Sequence, residues 1–323
     1  MAQWVRVGSV LFETKAAWGA PDAKQIVLAE TAEAMKRLEG RGLDLVAFCE
    51  GVEAIGQTIE QAENPDAPGE FLTLYRDFAV SQRCHVAGSA KTRRDGTVYN
   101  SIVFYAPGGE LLGVYDKVNL TVNEIEAGLT SGAGPVVVDS AIGRLGGLVC
   151  FDLNFEPLRQ QVRPLRPDIL VFASMYHGGL MQRVWAYDCR AYFVAAWKER
   201  GAGILDPFGR TVAETHCYSD VAIADVNLDR AMVHLDCNQE RFDEIRRTYG
   251  DEVVIDVPPN LGPALIFSLT DHRTAADIVR EFNLELIDDY LTRSLAANAA
   301  NRRAKGGAGR KAETHAPEAG SLQ

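Results

Sequence analysis

The stretch 146-GGLVCFDLNF-155 passes from apolar residues that suit a buried strand into a segment that reads as the start of a helix, with Cys150 at the junction. A cysteine there can be a packed small hydrophobe, a redox thiol or a nucleophile, and on its own the first is the commonest case. Outward from it the pattern repeats. After Cys150, 155-FEPLRQQV-162 has helical spacing, 168-DILVFAS-174 is a buried strand and 181-MQRVWAYDCRA-191 is a second helix. Then 193-FVAAW-197, 201-GAGILD-206, 211-TVAET-215 and 221-VAIADV-226 are short strands parted by turns such as 206-DPFG-209. The first half has the same style. 4-WVRVGSVLF-12 is a strand, and 21-PDAKQIVLAETAEAMKRLEGRG-42 repeats Val27, Ala34, Met35 and Leu38 at helical spacing until Gly40. 43-LDLVAFC-49 is a buried strand, about 70–82 is a helix, and 84-CHVAGSAK-91, 98-VYNSIVFYA-106 and 110-ELLGVYDKV-118 follow as strands. Two similar halves of this kind predict an α/β layered sandwich with helices on the outside. The glycine run 143-GRLGG-147 lacks dinucleotide-binding spacing and reads as a turn.

Composition bounds the function. Of 323 residues 47% are hydrophobic and 24% charged, and no apolar run reaches the roughly 18 residues of a membrane span. Arg6 interrupts the apolar start, so no signal peptide is expected and the chain is placed in the cytoplasm. Six scattered cysteines without a CxxC pair predict reduced thiols and no metal site. The formal net charge is −11, and the segment from residue 301, with five Lys/Arg against two Glu, leaves −14 on the rest. That balance argues against nucleic-acid binding. Residues 274–297 carry an apolar stripe (Ile278, Phe282, Leu286, Leu291, Leu295) expected to dock on a second subunit in a homodimer or larger assembly. From about 299 the Ala/Gly/Lys/Arg composition predicts a disordered basic tail.

Three polar residues fall at the carboxyl ends of apolar strands: Glu50 after 43-LDLVAFC-49, Lys117 after 111-LLGVY-115 and Cys150 after 145-LGGLV-149. Strand ends are where an α/β layer gathers side chains in a crevice. A catalytic thiol, with a free pKa of about 8.5, needs a base to take its proton or a cation to favour its thiolate, and these residue types supply both.

In order and context, 47-AFCE-50, 115-YDKVNLTVNE-124 and 148-LVCFD-152 resemble the carbon-nitrogen hydrolase (nitrilase) superfamily. The resemblance covers about residues 4–250 and includes 99-YNSIVFYAPGGELLGVYDKV-118, 203-GILDPFGRTVAET-215 and 221-VAIADVNLDR-230. It implies a four-layer α-β-β-α sandwich with Glu50 as general base, Lys117 as stabilising cation, Cys150 as nucleophile and Glu124 as a further acid that orients the lysine or the substrate. Phe151 N–H and Lys117 would serve as oxyanion donors, and Tyr176 and His177 of 173-ASMYHGG-179 would help line the pocket. The implied activity is hydrolysis of a small amide or carbamoyl (ureido) compound through a cysteine thioester, without metal or cofactor. Direct nitrile hydrolysis and a catalytically silent ligand-binding or assembly relative are the alternatives. Phe151-Asp152 stands where nitrile-cleaving members have Trp-Glu, which favours the amide branch. Leu153 and Asn154 stand where carbamoyl-amino-acid hydrolases carry paired arginines. The expected substrate is therefore neutral or cationic, unless an arginine from another loop, Arg183 for instance, supplies the carboxylate clamp. The domain expectation is a hydrolase domain over 1–258, a C-terminal extension over 259–298 and the tail over 299–323. Loops 51–69, 119–134 and 175–182 should shape the pocket.

Overall fold

A computed structural model describes residues 2–306 of the chain. They form two compact units, one over Gln3–Leu228 and one that joins Ala2 to the chain from Asp229 onward.

In the larger unit, β1 (Trp4–Val10), β2 (Leu45–Ala47) and β3 (His85–Arg94) lie parallel, and β4 (Thr97–Tyr105) and β5 (Leu111–Asp116) add an antiparallel meander. The second sheet repeats the plan. β6 (Val137–Ser140) flanks the parallel strands β7 (Gly143–Val149), β8 (Ile169–Ser174) and β9 (Tyr192–Trp197), and β10 (Gly203–Leu205) and β11 (Thr211–Glu214) complete it. β12 (Val221–Asn227) returns to pair antiparallel with β1, giving the orders β12-β1-β2-β3-β4-β5 and β11-β10-β9-β8-β7-β6.

Three cores separate the four layers. Alternate residues of both sheets, among them Val7, Leu45, Ile102 and Tyr115 from the first and Leu145, Val149, Val171 and Val194 from the second, meet in the middle. The outer face of the first sheet packs on α1 (Ala23–Lys36) and α2 (Glu70–Gln82) through Val27, Met35, Phe71 and Phe78. After the short α3 (Val122–Glu126), α4 (Glu156–Val162) and α5 (Leu180–Cys189) cover the second sheet through Leu158, Val162 and Trp185. The expected four-layer α-β-β-α sandwich is the observed one. Strands apolar on both faces are what a sheet covered on both sides requires.

The glycine run expected as a turn is instead the body of β7. Its glycines make room for the facing sheet: a Cβ on Gly147 would lie 2.7 Å from the Cβ of Tyr115, which is fully buried. Close approach of a neighbouring layer is a reason for glycine inside a strand.

The smaller unit is a three-stranded antiparallel sheet, β13 (Arg230–His234), β14 (Val253–Asp256) and β15 (Pro263–Ser268) in the order β13-β15-β14, with α6 (Phe242–Tyr249), α7 (Ala275–Glu281) and α8 (Ile287–Gly306). The division thus falls at Leu228/Asp229, earlier than the expected boundary at 258, because β13 and β14 pair with β15 in a sheet of their own. The expected stripe over 274–297 is also corrected. Thr274 and Asp277 form a capping box that starts α7, and Asn283 at φ 50° breaks the segment before α8. Ile278, Phe282 and Leu286 pack within the unit around Val233 and Ile266, which leaves Leu291 and Leu295 as the exposed remainder of the proposed subunit contact. Residues 299–306 continue α8 and are not disordered, and the rest of the expected tail, 307–323, lies outside the described residues. Among the described residues no helix is long and apolar enough to cross a membrane.

Gly147→Ala should destabilise the larger unit by about 1–3 kcal/mol, because the Tyr115 Cβ it meets is tied to its own backbone and cannot swing aside. Urea unfolding should show a lower midpoint at unchanged slope, whereas a midpoint equal to wild type would show that the sheets have room to part.

Candidate active site

The carboxyl ends of β2, β5 and β7 deliver Glu50, Lys117 and Cys150 to one place. Beyond β2, Phe48 N–H still donates to Ala87 O (2.9 Å), which carries the strand direction up to Glu50. Cys49 Sγ donates to Ser174 O (3.0 Å) and Met175 N–H to Glu50 Oε2 (2.9 Å), so the end of β2 is tied to the end of β8 in the other sheet.

Lys117 is 1% exposed, and a buried ammonium must be answered by charge. Its Nζ donates to Glu124 Oε1 (2.8 Å), Glu124 Oε2 (2.9 Å) and Glu50 Oε1 (3.2 Å). Burial works against the ammonium, but the charges of Glu50 and Glu124 and the hydrogen bond to Glu124 outweigh it and hold the Lys117 pKa above its ordinary value. Glu124 stays below the ordinary carboxylate range: burial opposes ionisation, and the Lys117 charge and hydrogen bond overcome it with help from Thr121 N–H and Asn100. Glu124 is also the N3 residue of the capping box that starts α3, with Thr121 N–H on its Oε2 (2.7 Å). A helix cap thereby fixes the acid that fixes the lysine.

Asn100, on β4, splits its amide between Glu50 Oε1 and Glu124 Oε1, 2.9 Å each, and two acceptors fix which way the amide points. Sequence reading passed over it. Its only signal was its place in 99-YNSIVFYAPGG-109, where an asparagine inside an apolar strand has no packing reason to be there.

Cys150 has φ 45°, a left-handed conformation that costs a non-glycine residue roughly 1–3 kcal/mol. The helix expected there is a 3-10 turn over Cys150–Asn154. Asp152, fully buried, straps this turn. Its Oδ2 accepts from Tyr115 Oη (2.7 Å) and Val149 N–H (3.0 Å), and its Oδ1 from Asn119 N–H (2.8 Å) and Nδ2 (3.2 Å). Burial pushes Asp152 up to about 6 against those four donors. Phe151 N–H lies in the first turn, where amides lack intrahelical partners.

The thiol is not preformed as a thiolate. Burial, then the Glu50 charge, push Cys150 up to about 12, and the opposing pull of Lys117 and of hydrogen bonds from Ser174 and Met175 does not reverse it. The ammonium that was to favour the thiolate is already engaged by two carboxylates.

A cavity of about 620 Å³ opens onto Glu50, Lys117, Glu124 and Cys150. Its walls are residues 53–61 and 121–129 and Met175, as the expected loops required, together with residues 18–24, which sequence reading left out. Phe151, Tyr176 and His177 are not in its lining. Tyr176 Oη accepts from Asn154 Nδ2 (3.2 Å), and the His177 ring lies edge-on to Trp197 at 5.0 Å, so both side chains are held elsewhere. Leu153 is fully buried, and Arg183 donates to Gly209 O (2.6 Å) and Thr211 Oγ1 (3.3 Å), so neither supplies a carboxylate clamp. Trp185, fully buried, donates to Leu153 O (3.0 Å), and Trp197 is also a core residue. Glu50, Glu53 and Glu124 bring carboxylate oxygens within 4.8 Å of one another, the spacing of a metal cluster, but the Lys117 ammonium sits on two of the three.

The model of the carbon-nitrogen hydrolase family matches residues 16–232. The chain belongs to that family. Among relatives, the family's nitrilase and fragile histidine triad fusion protein of Drosophila melanogaster is 25% identical over 232 residues, 62% of this chain and 50% of that protein. The chloroplastic omega-amidase of Arabidopsis thaliana is 25% identical over 212 residues (56% and 58%), and a deaminated glutathione amidase of Synechocystis is 26% identical over 240 (63% and 86%). The chain spans about half the length of the first of these relatives. Two solved structures share the fold. Nit3 of Saccharomyces cerevisiae, a nitrilase-superfamily member, has a TM-score of 0.57 at 18% identity over 77% of this chain and 95% of its own. A CN-hydrolase superfamily protein of Xanthomonas campestris, with an arsenic adduct in its active site, gives 0.58 at 19% over 78% and 98%.

For this family member, absorbance at 240 nm should show no thiolate attributable to Cys150 between pH 7 and 9, taken as the difference between wild type and Cys150→Ala. A titration below pH 8 would mean that Lys117 outweighs burial. Asp152→Asn turns an amide N–H₂ toward backbone or side-chain donors, so the expected loss is about 1–3 kcal/mol in unfolding free energy. Full stability in that variant would show that the turn after Cys150 stands without its strap.

Proposed function

We propose that the chain hydrolyses the C–N bond of a small amide or carbamoyl compound through a thioester on Cys150. The observation that carries this reading is Lys117 Nζ, 2.8–3.2 Å from both Glu124 and Glu50, on the same cavity wall as Cys150. The amidases among its relatives support the amide branch.

Glu50 is the base. Its Oε2 accepts one hydrogen bond, from Met175 N–H, and keeps a second lone pair. As that carboxylate takes the Cys150 proton, the sulfur attacks the carbonyl carbon and the carbonyl pair moves to oxygen. Phe151 N–H donates to this oxygen while the nearby Lys117 charge, whose N–H groups stay on the two acids, offsets it at a distance, and one such donor is worth roughly 10²–10³ in rate. Collapse breaks the C–N bond while Glu50 returns the proton to the departing nitrogen, which leaves as ammonia or amine. Water then gives a proton to Glu50 and its oxygen to the thioester carbon. The C–S bond breaks, the sulfur recovers its proton and the acid departs. Because the resting thiol is protonated, proton transfer and attack belong to one step, and Glu50 matters as much as the sulfur. Glu124 acts through Lys117, as a positioning residue.

Ammonia release from a panel of small primary amides tests the reading. Cys150→Ala should lower kcat by about 10⁴-fold or more while leaving the melting temperature close to wild type. Mass spectrometry of wild type with a slow substrate should place an acyl adduct on Cys150. An adduct on Cys49 or Cys189, or activity retained in the alanine variant, would overturn the assignment. No ammonia from any amide by a folded protein would favour the silent binding relative.

A further inference from the structure

The wall of the cavity next to the site is the single π-helical turn Val52–Gly56, and it carries a second buried acid, Glu53, 4% exposed. Its partner is Lys91 on β3, 7% exposed and also in the cavity wall. Lys91 has three N–H groups, and all are engaged. They reach Glu53 O, Gln57 O (3.0 Å) and Glu53 Oε1 (2.8 Å), so the lysine closes the end of the π turn and neutralises one oxygen of the acid it carries. Glu53 Oε2 accepts no hydrogen bond among the described residues, although the side chain is almost wholly buried and lines the cavity.

Charge points the same way. Glu50, Glu53 and Glu124 meet within 4.8 Å, against the two buried ammoniums of Lys117 and Lys91, which leaves the group one positive charge short. Burial, with the Glu50 and Glu124 charges behind it, pushes Glu53 up to about 7 against the pull of Lys91. Cations able to receive an anion are scarce in the same space. Lys117 and Lys91 have no N–H to spare, Lys24 is paired with Glu70, and among the described residues no arginine lines the cavity. At the rim stands Trp18, 78% exposed, whose indole face can attract a passing cation.

We propose that Glu53 is a specificity-determining residue that receives a protonated amine carried by the substrate beyond its scissile amide, so that this enzyme takes amino amides in preference to neutral amides and to amides of dicarboxylic acids. The inference rests on the amide-hydrolase reading above. The ammonium supplies the missing positive charge and donates to Glu53 Oε2, and a carboxylate in its place would meet three acids and no available cation.

The test compares kcat/KM across matched sets in which the terminal group alone changes. These are β-alaninamide, γ-aminobutyramide and δ-aminovaleramide; their methyl-ended counterparts butyramide, valeramide and hexanamide; and succinamate, glutaramate and adipamate. At one chain length the amino amide should exceed the methyl-ended amide by about tenfold to a hundredfold, and the carboxylate should be the poorest of the three. In Glu53→Gln the ratio of amino to methyl-ended amide should fall to about one. Should Lys91, left unpaired, unfold that variant, the double variant Glu53→Gln/Lys91→Met removes both charges and must show the same loss of ratio. Equal rates for amino and methyl-ended amides, or a preference for the carboxylates, overturn the proposal while Cys150-dependent ammonia release leaves the amide-hydrolase reading standing. If wild type releases ammonia from none of the nine but does so through Cys150 from another amide or carbamoyl compound, this proposal falls alone; if it releases ammonia from none of these compounds, that reading falls with it.

Discussion

The structure depends on a lysine ammonium that has been taken almost wholly out of water. Removing a charge from solvent costs several kcal/mol unless it is paired and hydrogen-bonded, and Lys117 is answered on every N–H by Glu50 and Glu124. That requirement organises its surroundings. Glu124 is held by the cap of α3, Glu50 by the amide of Met175, and Asn100 stitches the two acids together. The same arrangement has a chemical cost. With its charge answered by carboxylates, Lys117 does not hold Cys150 as a thiolate, and on the mechanism proposed above the proton leaves at the moment of attack.

A second constraint runs from packing to the elbow. Gly147 leaves space for Tyr115, which crosses the middle layer buried on all sides and places its hydroxyl on Asp152. Asp152 then gathers Val149 N–H and Asn119 and holds the turn in which Cys150 sits at φ 45°. The distance between the sheets, set by a missing Cβ on one and a phenol on the other, is thus linked to the geometry of Cys150. Neighbouring strands could not be shifted without moving the residue at the end of β7.

The layers were legible because both-sided burial writes itself as continuous apolar runs, and 43-LDLVAFC-49, 145-LGGLV-149 and 168-DILVFAS-174 became β2, β7 and β8. Strand ends likewise announced Glu50, Lys117 and Cys150. What sequence could not show was set by partners distant along the chain. The stripe over 274–297 has helical spacing, but whether its residues face a second subunit or β13 and β15 depends on what folds beneath them, and Val233 and Ile266 take Ile278, Phe282 and Leu286 while Leu291 and Leu295 stay exposed. Tyr176 and His177 sit in the right loop, yet the directions of their side chains follow from Asn154 and Trp197. Glu53 and Lys91 are 38 positions apart and carry no joint pattern. Their pairing exists only because β3 runs beside the turn that follows β2.

The six cysteines show how the surroundings, and not the thiol, decide the chemistry. Cys49 is the residue next to Glu50, but it is packed in the core of the first sheet, its S–H is given to Ser174 O, and burial pushes its pKa far above that of a free thiol. Cys84 and Cys189 are buried behind α2 and in α5, where burial, with the charges of Asp44 and Asp188 behind it, raises both to about 12, and neither lines the cavity. Cys217 and Cys237 are exposed, outside the cavity wall. A raised pKa therefore does not separate Cys150 from its neighbours. What separates it is that its side chain alone among these thiols opens into the cavity that Glu50, Lys117 and Glu124 share. On the reading proposed above, a thiol that is hard to ionise at rest and opens beside a carboxylate is protected from random alkylation and still able to react with a bound carbonyl.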